Sequence, residues 1–178
     1  MSKARGPFVP LQVAVLTVSA TRTTENDTAG DLIAERLTTA GHQVTKRAIV
    51  PHDVNLVRNQ LSVWVSDPEV QAIVSSGGTG LSQQDVTPEA VEPLITKPIP
   101  GFGELFRWLS YDEIGSATIE SRAMAGVAWD TLVFLLPGSP GACRLAVEKI
   151  IVPQLDATTA PCNLVALLPR ASNNSAAT

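Results

Sequence analysis

The sequence predicts an α/β fold built on a largely parallel sheet. Segments rich in Val, Leu and Ile alternate with segments that show a helical spacing of apolar residues, and this alternation is typical of parallel strands joined by helices. A hairpin near the C-terminal end predicts an antiparallel edge strand. Polar or glycine-rich loops follow three of the strands, over residues 19–30, 75–88 and 137–141. Since active sites of such folds lie where the strands end, these loops indicate where function is located.

Size and charge narrow the class of protein. A chain of 178 residues favours one domain, and we expect a flexible segment over 1–10, the domain over 11–169 and a disordered tail over 170–178. Thirteen basic against seventeen acidic residues give a net charge of −4, which argues against a nucleic-acid partner. The apolar run over 11–18 is too short to span a membrane. We therefore expect a cytoplasmic protein that contacts neither nucleic acid nor membrane.

The first strand and helix have clear limits. The stretch LQVAVLTVS over residues 11–19 is apolar with little alternation, as in a central strand covered on both faces. Asp27 or Thr28 can cap a helix that runs to about Ala40. Gly41 then ends that helix in a left-handed conformation.

The next three elements follow the same logic. Residues 44–50 predict a second strand, and Asp53 can cap the helix after it. Residues 71–75 predict a third strand that runs into a glycine-rich loop. Thr87 as N-cap and Pro88 at the first helical position predict the helix after this loop.

The second half of the chain predicts a turn, a helix, a hairpin and a last helix. Residues 99–101 predict the turn, and 102–113 predict a helix with its apolar residues on one side. Residues 121–128 and 132–136 form the two arms of the hairpin, and the last helix covers about 142–155.

The glycine-rich loop has two physical interpretations. Glycine permits positive φ and lets backbone amides approach a ligand, so that consecutive amides can form a nest for an anion. The loop matches neither a Walker A motif nor the pattern GxGxxG, and a tight strand-to-helix turn explains it equally well. The residues that would bind phosphate are Ser76, Gly77, Gly78, Thr79 and Gly80.

Two aspartates are candidate ligands for a metal ion. Asp85 follows the loop directly, where a carboxylate can hold Mg²⁺ against nucleotide phosphates. Asp53 occupies the corresponding position after the second strand. Each has a structural alternative, because Asp85 can be a solvated loop residue or a second cap, and Asp53 can be a plain N-cap.

The other two loops add candidates for anion binding. The first loop offers polar and small residues, and the planar fork of its arginine suits phosphate. These residues are Ser19, Thr21, Arg22, Asp27, Thr28 and Gly30, of which Ser19 and Arg22 are the candidates for phosphate binding. The third loop can hold an anion at the start of the last helix, through Gly138, Ser139, Pro140 and Gly141. Both loops are explained almost as well by ordinary polar turns.

The remaining polar residues give little signal. Cys143 and Cys162 lack metal-type spacing and are expected to be reduced, structural thiols. His42 and His52 do not cluster with other ligands, and we expect both at the surface.

Taken together, three segments resemble the MoaB/MogA family of molybdenum-cofactor biosynthesis proteins, which shares a superfamily with the gephyrin G domain. The segments are SSGGTGLSQQDVTPEA, PGFGELFRWLSYDEIGSATIESRAMAGV and LPGSPGACR. The similarity covers about residues 11–168, and the pattern GGTG-x4-D-x-TPE is highly specific. The later segment IIVPQLDATTAPCN is more similar to the MoaB branch than to the MogA branch.

The resemblance implies a fold, an assembly and a reaction. The family fold is a three-layer α/β/α domain, and its bacterial members are usually homotrimers, with hexamers among archaeal relatives. The family reaction is adenylylation of molybdopterin, in which the terminal phosphate of the pterin attacks the α-phosphate of Mg²⁺-bound ATP. A separate protein of the pathway inserts molybdate later. The alternative is a non-catalytic molybdopterin-binding or scaffold protein of the same pathway, and a more distant one is a generic nucleotide-binding domain.

The resemblance also implies roles for particular residues. Residues 77–80 would cradle phosphate, Asp85 would hold magnesium and take part in catalysis, and Asp53 matches a second functional aspartate of the family. Residues 138–141 match a loop near the pterin. Ser110, Glu113 and Arg122 lie in the long matching segment, and Ser110 and Glu113 are further candidates for substrate binding.

Overall fold

The fold is known from a computed structural model, which describes residues 7–168. Its centre is a six-stranded sheet with the strand order β2-β1-β3-β6-β5-β4. The strands are β1 (Gln12–Val18), β2 (Gln43–Val50), β3 (Ala72–Ser76), β4 (Lys97–Pro98), β5 (Met124–Ala128) and β6 (Thr131–Leu136). The four strands β2, β1, β3 and β6 are parallel, which confirms the α/β prediction.

Helices follow most of the strands. The helices are α1 (Thr28–Thr39), α2 (Val54–Ser66), α3 (Thr87–Val91), α4 (Pro100–Ile114), α5 (Pro140–Ala146) and α6 (Val152–Leu155). A π-helical turn, Val147–Ile151, makes α5 and α6 one continuous helical segment, as the sequence predicted for about 142–155. Short 3-10 helices that the sequence did not predict lie at Glu92–Leu94, Gly115–Glu120 and Leu164–Leu167.

The sheet separates two hydrophobic cores. Along β1, Val13 and Val15 point into one core, while Ala14 and Leu16 point into the other. Helices α1, α4 and α5 cover the first face and α2 and α3 cover the second, which gives three layers. Because both faces are covered, the central strands place apolar residues on both sides, and this explains the lack of alternation in the sequence.

The structure adds detail to the predicted edge and corrects one turn. The antiparallel edge strand is β4, which pairs with β5, and β5 in turn pairs antiparallel with β6. Residues 99–101 do not form a separate turn as predicted, since α4 already begins at Pro100, where a missing N–H costs nothing.

The ends of the domain are described in part. Residues 7–10 form no regular structure, although the ring of Phe8 packs against His42 with centroids 5.3 Å apart. His42 is buried, so its predicted surface position was wrong. The other residues of the predicted flexible segment, and the predicted tail over 170–178, lie outside the described residues.

Candidate functional site

The three loops singled out in the sequence begin side by side. Thr17 of β1 pairs with Ser76 of β3, and Ser76 pairs with Leu136 of β6, so these strands end at the same level of the sheet. A cavity of about 280 Å³ opens there. It is lined by Thr17, Val18, Ser19, Arg22, Asp27, Ala29, His52, Ser76, Gly77, Gly78, Asp85 and Gly138.

The glycine loop is shaped so that side chains do not fit in it. Gly77 and Gly78 have φ values of 95° and 69°, which other residues rarely adopt. A Cβ atom on Gly77 would lie 2.3 Å from the carbonyl oxygen of Val18. A Cβ atom on Gly78 would lie 2.3 Å from Oγ1 of Thr87. The bare backbone at these two positions is therefore required by the geometry of the loop.

Thr87 at the start of α3 is hydrogen-bonded to the glycine loop. Its side chain does not cap α3 as predicted; Val86 is at the N-cap position and provides no side-chain hydrogen bond there. Instead Oγ1 of Thr87 donates to the carbonyl oxygen of Gly77 at 2.8 Å, and the backbone N–H of Thr87 donates to that of Gly78 at 3.0 Å. The start of α3 is thereby tied to the glycine loop.

The carboxylate of Asp85 is held at the mouth of the cavity. Its Oδ2 atom accepts hydrogen bonds from the backbone N–H and the hydroxyl of Ser82, at 3.0 and 2.6 Å. Partial burial acts to raise the pKa of Asp85, but the Ser82 bonds, the N–H of Gly80 and the nearby His52 outweigh it, so the pKa lies below its usual value. Asp85 is therefore a carboxylate at neutral pH, ready to accept a cation.

Arg122 fastens the same loop from the opposite side. Its backbone N–H donates to the carbonyl oxygen of Thr79 at 3.0 Å, and its Nε donates to that of Gly80 at 2.8 Å. A third bond runs from Nη2 to the carbonyl oxygen of Asp85 at 2.6 Å, and Nη1 pairs with Glu89. The guanidinium of Arg122 therefore holds the backbone of the glycine loop in place.

The first loop provides one cation and one buried carboxylate. Oγ of Ser19 accepts the backbone N–H of Arg22 at 3.2 Å, and Arg22 in turn donates to the carbonyl oxygen of Asn26. Asp27 is buried; it caps α1 through the N–H of Gly30 and accepts the hydroxyl of Thr17 at 2.7 Å. The cap and the place of Asp27 in the first loop were predicted, but its burial was not.

A second cleft adjoins the cavity. It has a volume of about 590 Å³ and lies between the first loop and the end of β2. Ser19, Arg22 and Asp27 line both spaces, so a ligand can extend from one into the other. Ala48, Val50 and Pro51 give the cleft an apolar wall, and Arg47 adds a charged rim.

Two polar side chains in the cavity have unused hydrogen-bonding capacity. The hydroxyl of Ser76 and the Nδ1 atom of His52 are buried and find no hydrogen-bond partner within residues 7–168. Buried polar atoms are normally paired, so such atoms indicate a ligand or water that completes them. Ser76 was predicted from the sequence, whereas His52 was expected at the surface; its position directly after β2 was the one available signal.

Several predicted residues lie outside the cavity. Asp53 is exposed and caps α2, its Oδ1 accepting the N–H groups of Asn55 and Leu56 at 2.8 and 2.9 Å. Ser139 caps α5 in the same way through the N–H of Ala142. The other predicted residues that do not line the cavity are Thr79, Gly80, Ser110, Glu113, Pro140 and Gly141.

Ser110 and Glu113 are both on α4. The hydroxyl of Ser110 is buried and donates to the carbonyl oxygen of Phe106 at 2.8 Å, one turn earlier in the same helix. Glu113 is exposed. The described chain therefore does not bring these two residues to the cavity, and their role in substrate binding stays a prediction.

The donor set also limits the kind of metal site. Across the described part of the chain, no group of three or more His, Cys, Asp or Glu side chains is arranged to hold a metal ion. Magnesium does not need such a cage, because it is commonly held by one or two carboxylates together with substrate phosphates and water.

Within residues 7–168 there is also no helix of the length and apolarity required to cross a membrane.

The protein is an α/β domain with a glycine-rich loop and a cavity at the carboxyl ends of its parallel strands. The sequence matches the family model for probable molybdopterin-binding domains over residues 14–157. The chain therefore belongs to this molybdenum-cofactor biosynthesis family.

Individual relatives agree with this family. Molybdenum cofactor biosynthesis protein B of Escherichia coli K12 is 48% identical over 163 residues, which cover 92% of this chain and 96% of the relative. A crystal structure of a molybdenum cofactor biosynthesis protein B superposes with a TM-score of 0.80 at 42% identity, covering 86% of this chain and 94% of the other. A structure of MogA superposes with a TM-score of 0.70 at 31% identity, covering 81% of this chain and 99% of the MogA chain. The names of these relatives support a role in molybdenum cofactor biosynthesis.

Proposed function

We propose that this protein is a Mg²⁺-dependent molybdopterin adenylyltransferase. In this reaction an oxygen of the terminal phosphate of molybdopterin attacks the α-phosphorus of ATP. The bond between the α-phosphorus and the bridging oxygen to the β-phosphate breaks, and pyrophosphate leaves. Adenylyl-molybdopterin is the second product, which another protein of the pathway takes up.

The observation that carries the proposal is the position of Ser76 beside the glycine loop, in the cavity that Asp85 also lines. The hydroxyl of Ser76 is buried, unpartnered and part of the cavity wall that Gly77 and Gly78 continue. A phosphate oxygen is a strong acceptor for such a hydroxyl. A phosphate seat therefore explains both the unpaired hydroxyl and the loop that excludes side chains.

The charges of the cavity favour a divalent cation with the phosphate. Asp27 and Asp85 both line it, and a phosphate placed beside two carboxylates is repelled unless a cation lies between them. Asp85 is the better ligand, since it is half-buried and ionised. The oxygens of Asp27 already bind Thr17 and Gly30, and Nη2 of Arg47 lies 3.4 Å from Oδ2 of Asp27 and offsets part of its charge. Bound there, Mg²⁺ would neutralise phosphate charge and polarise the P–O bonds.

The side chains and the glycine loop of the protein would orient the substrate phosphates. The attacking phosphate is already ionised at neutral pH, so the reaction needs no strong general base, and catalysis rests on orientation and charge neutralisation. Ser76 and the glycine loop would hold the phosphates, and Arg22 would approach them from the first loop. The adjoining cleft of about 590 Å³ would receive the organic part of a substrate.

The resemblance also supports a homotrimer, which we propose as the assembly. Helix α4 and the 3-10 helix after it expose large apolar side chains, among them Trp108 at 72% and Ile119 at 78% exposure. Apolar surface of this kind marks interaction sites. Multi-angle light scattering at micromolar concentration should give three times the chain mass, and a monomer would refute this part of the proposal.

The test of the function is a reaction with purified components. Protein, molybdopterin, ATP and magnesium are incubated, and adenylyl-molybdopterin and pyrophosphate are measured by chromatography. We expect both products in equal amounts, and neither when magnesium is chelated. Molybdopterin binding without ATP consumption would instead identify a non-catalytic pterin-binding protein of the same pathway. ATP binding that does not depend on the pterin, without product, would identify a generic nucleotide-binding domain.

A further inference from the structure

We propose that His52 is a phosphate-binding residue of this cavity, its imidazole donating a hydrogen bond to a substrate phosphate. This inference rests on the proposed function, because it requires that the cavity seats phosphate.

His52 lines the cavity from a turn at its edge. His52 lies in the turn between β2 and α2, where the N–H of Asp53 donates to the carbonyl oxygen of Pro51 at 2.8 Å. Asp53 uses its carboxylate to cap α2, so the two neighbours have different tasks. The imidazole of His52 lines the cavity together with Gly78 and Asp85.

The close approach to Gly78 is specific. A Cβ atom at position 78 would lie 3.3 Å from Nδ1 of His52, closer than most real contacts of such atoms. The absence of a side chain at Gly78 therefore makes room for the ring. The same Nδ1 atom is buried and has no hydrogen-bond partner among the described residues. A ring nitrogen in that state is unfavourable until a ligand or water completes it.

The groups that face His52 leave a role for a further hydrogen-bond donor. Arg22 and Asp27 face the cavity from the first loop, and Asp85 faces it from the glycine loop. Arg22 is the other basic residue of this lining, and its guanidinium already donates to the carbonyl oxygen of Asn26. Nδ1 of His52 has no hydrogen-bond partner among the described residues, so the ring can donate a hydrogen bond to a bound phosphate.

The chain suits a direct test because it contains only two histidines. His42 is buried beneath Phe8, away from the cavity lining, and serves as an internal control. The probe is inorganic pyrophosphate with magnesium, titrated into the full-length protein. Imidazole resonances are followed by NMR and assigned with His52→Gln, and affinity is measured by calorimetry. Asn55→Ala is the matched variant, since Asn55 is exposed on the first turn of α2.

The expected result has two parts. Pyrophosphate shifts the His52 signals and leaves those of His42 in place. His52→Gln weakens binding about tenfold, as loss of a charge-assisted hydrogen bond predicts, while Asn55→Ala binds as the wild type does.

Two results would overturn the proposal in different ways. If calorimetry shows pyrophosphate binding while the His52 signals do not move, His52 is not a ligand but the phosphate seat stands. If the wild type binds no pyrophosphate, the cavity is not a phosphate seat, and the proposed function fails together with the role of His52. Because the NMR measurement uses the wild type, a folding defect in His52→Gln does not affect this decision.

Discussion

Arg122 donates from Nε to the carbonyl oxygen of Gly80 at 2.8 Å, a contact between residues 42 positions apart in the chain. The same side chain reaches the carbonyl oxygen of Asp85, so one guanidinium fixes both ends of the segment that contains the loop carboxylate. Because Arg122 lies just before β5, these hydrogen bonds connect the segment that contains Asp85 to the sheet and restrict its movement.

We predict that Arg122→Lys lowers turnover by up to about a hundredfold, since a small displacement of a catalytic group costs this much and lysine cannot form the fork of hydrogen bonds. Steady-state kinetics with thermal unfolding as the control measures the effect. Glu89→Gln removes the ion pair alone, and an exposed pair contributes no more than about 1 kcal/mol. Equal losses of turnover in both variants would show that the ion pair, and not the backbone contacts, matters.

We predict that Gly78→Ala is destabilising by about 1–3 kcal/mol or distorts the glycine loop, because φ is 69° and the new Cβ would clash with Oγ1 of Thr87. The matched control is Gly101→Ala. Gly101 lies in the first turn of α4 with nothing within 4 Å of the new Cβ, so alanine there should stabilise by about 0.4–1 kcal/mol. Urea unfolding of both variants checks the pair, and similar effects would contradict the strain in the loop.

Asp53 lies outside the cavity lining, but the family resemblance assigns it a functional role, and on that ground we predict that Asp53→Asn lowers turnover. The stability of the fold should stay within about 0.5 kcal/mol, because asparagine is as good an N-cap as aspartate. The cap uses Oδ1 for both bonds, and Oδ2 makes no hydrogen bond within the described part of the chain, which leaves it available for a ligand. Parallel assays of turnover and chemical unfolding separate the two roles. Unchanged turnover would leave Asp53 as a helix cap only.

We predict that the free energy of unfolding falls as the pH drops below about 6.5, with His42 as one cause. Burial lowers the pKa of His42, against a smaller opposing effect of Asp156. The unfolded chain therefore binds a proton on this ring that the folded protein resists, and stability is lost as the pH falls through the unfolded value toward the folded one. Urea titrations at pH 7 and 5.5 measure the slope.

The substitution His42→Asn provides the control for this prediction. Asparagine does not titrate, and its side-chain oxygen can accept the N–H of Leu11 that His42 accepts at 3.2 Å. The variant should lose part of the dependence on pH. An identical slope in the variant and the wild type would exclude His42 as a cause.

The fold was largely predictable because its signals are local. The caps at Asp27 and Asp53, the left-handed Gly41 and the hairpin turn at residues 129–130 each depend on neighbours within a few positions. β4 was missed because two residues carry no pattern, and its pairing with β5 is visible only in three dimensions.

The site was predictable to a lesser degree. Ser76 and Asp85 were identified because they flank a conspicuous loop. His52 and the burial of Asp27 were missed, since each acquires its role from a contact with a distant strand or loop. For Thr87 the local signal was misleading. Its sequence context predicts an N-cap, but its hydroxyl donates to the carbonyl oxygen of Gly77 instead.

The turnover of Asp85→Asn with molybdopterin, ATP and magnesium tests the proposed mechanism most directly. Asp130→Asn, in the exposed hairpin turn, is the matched control for loss of a carboxylate. We predict that Asp85→Asn folds normally and forms adenylyl-molybdopterin at no more than about one hundredth of the wild-type rate, while Asp130→Asn keeps that rate. Full activity of Asp85→Asn would contradict the role of this carboxylate and with it the proposed mechanism.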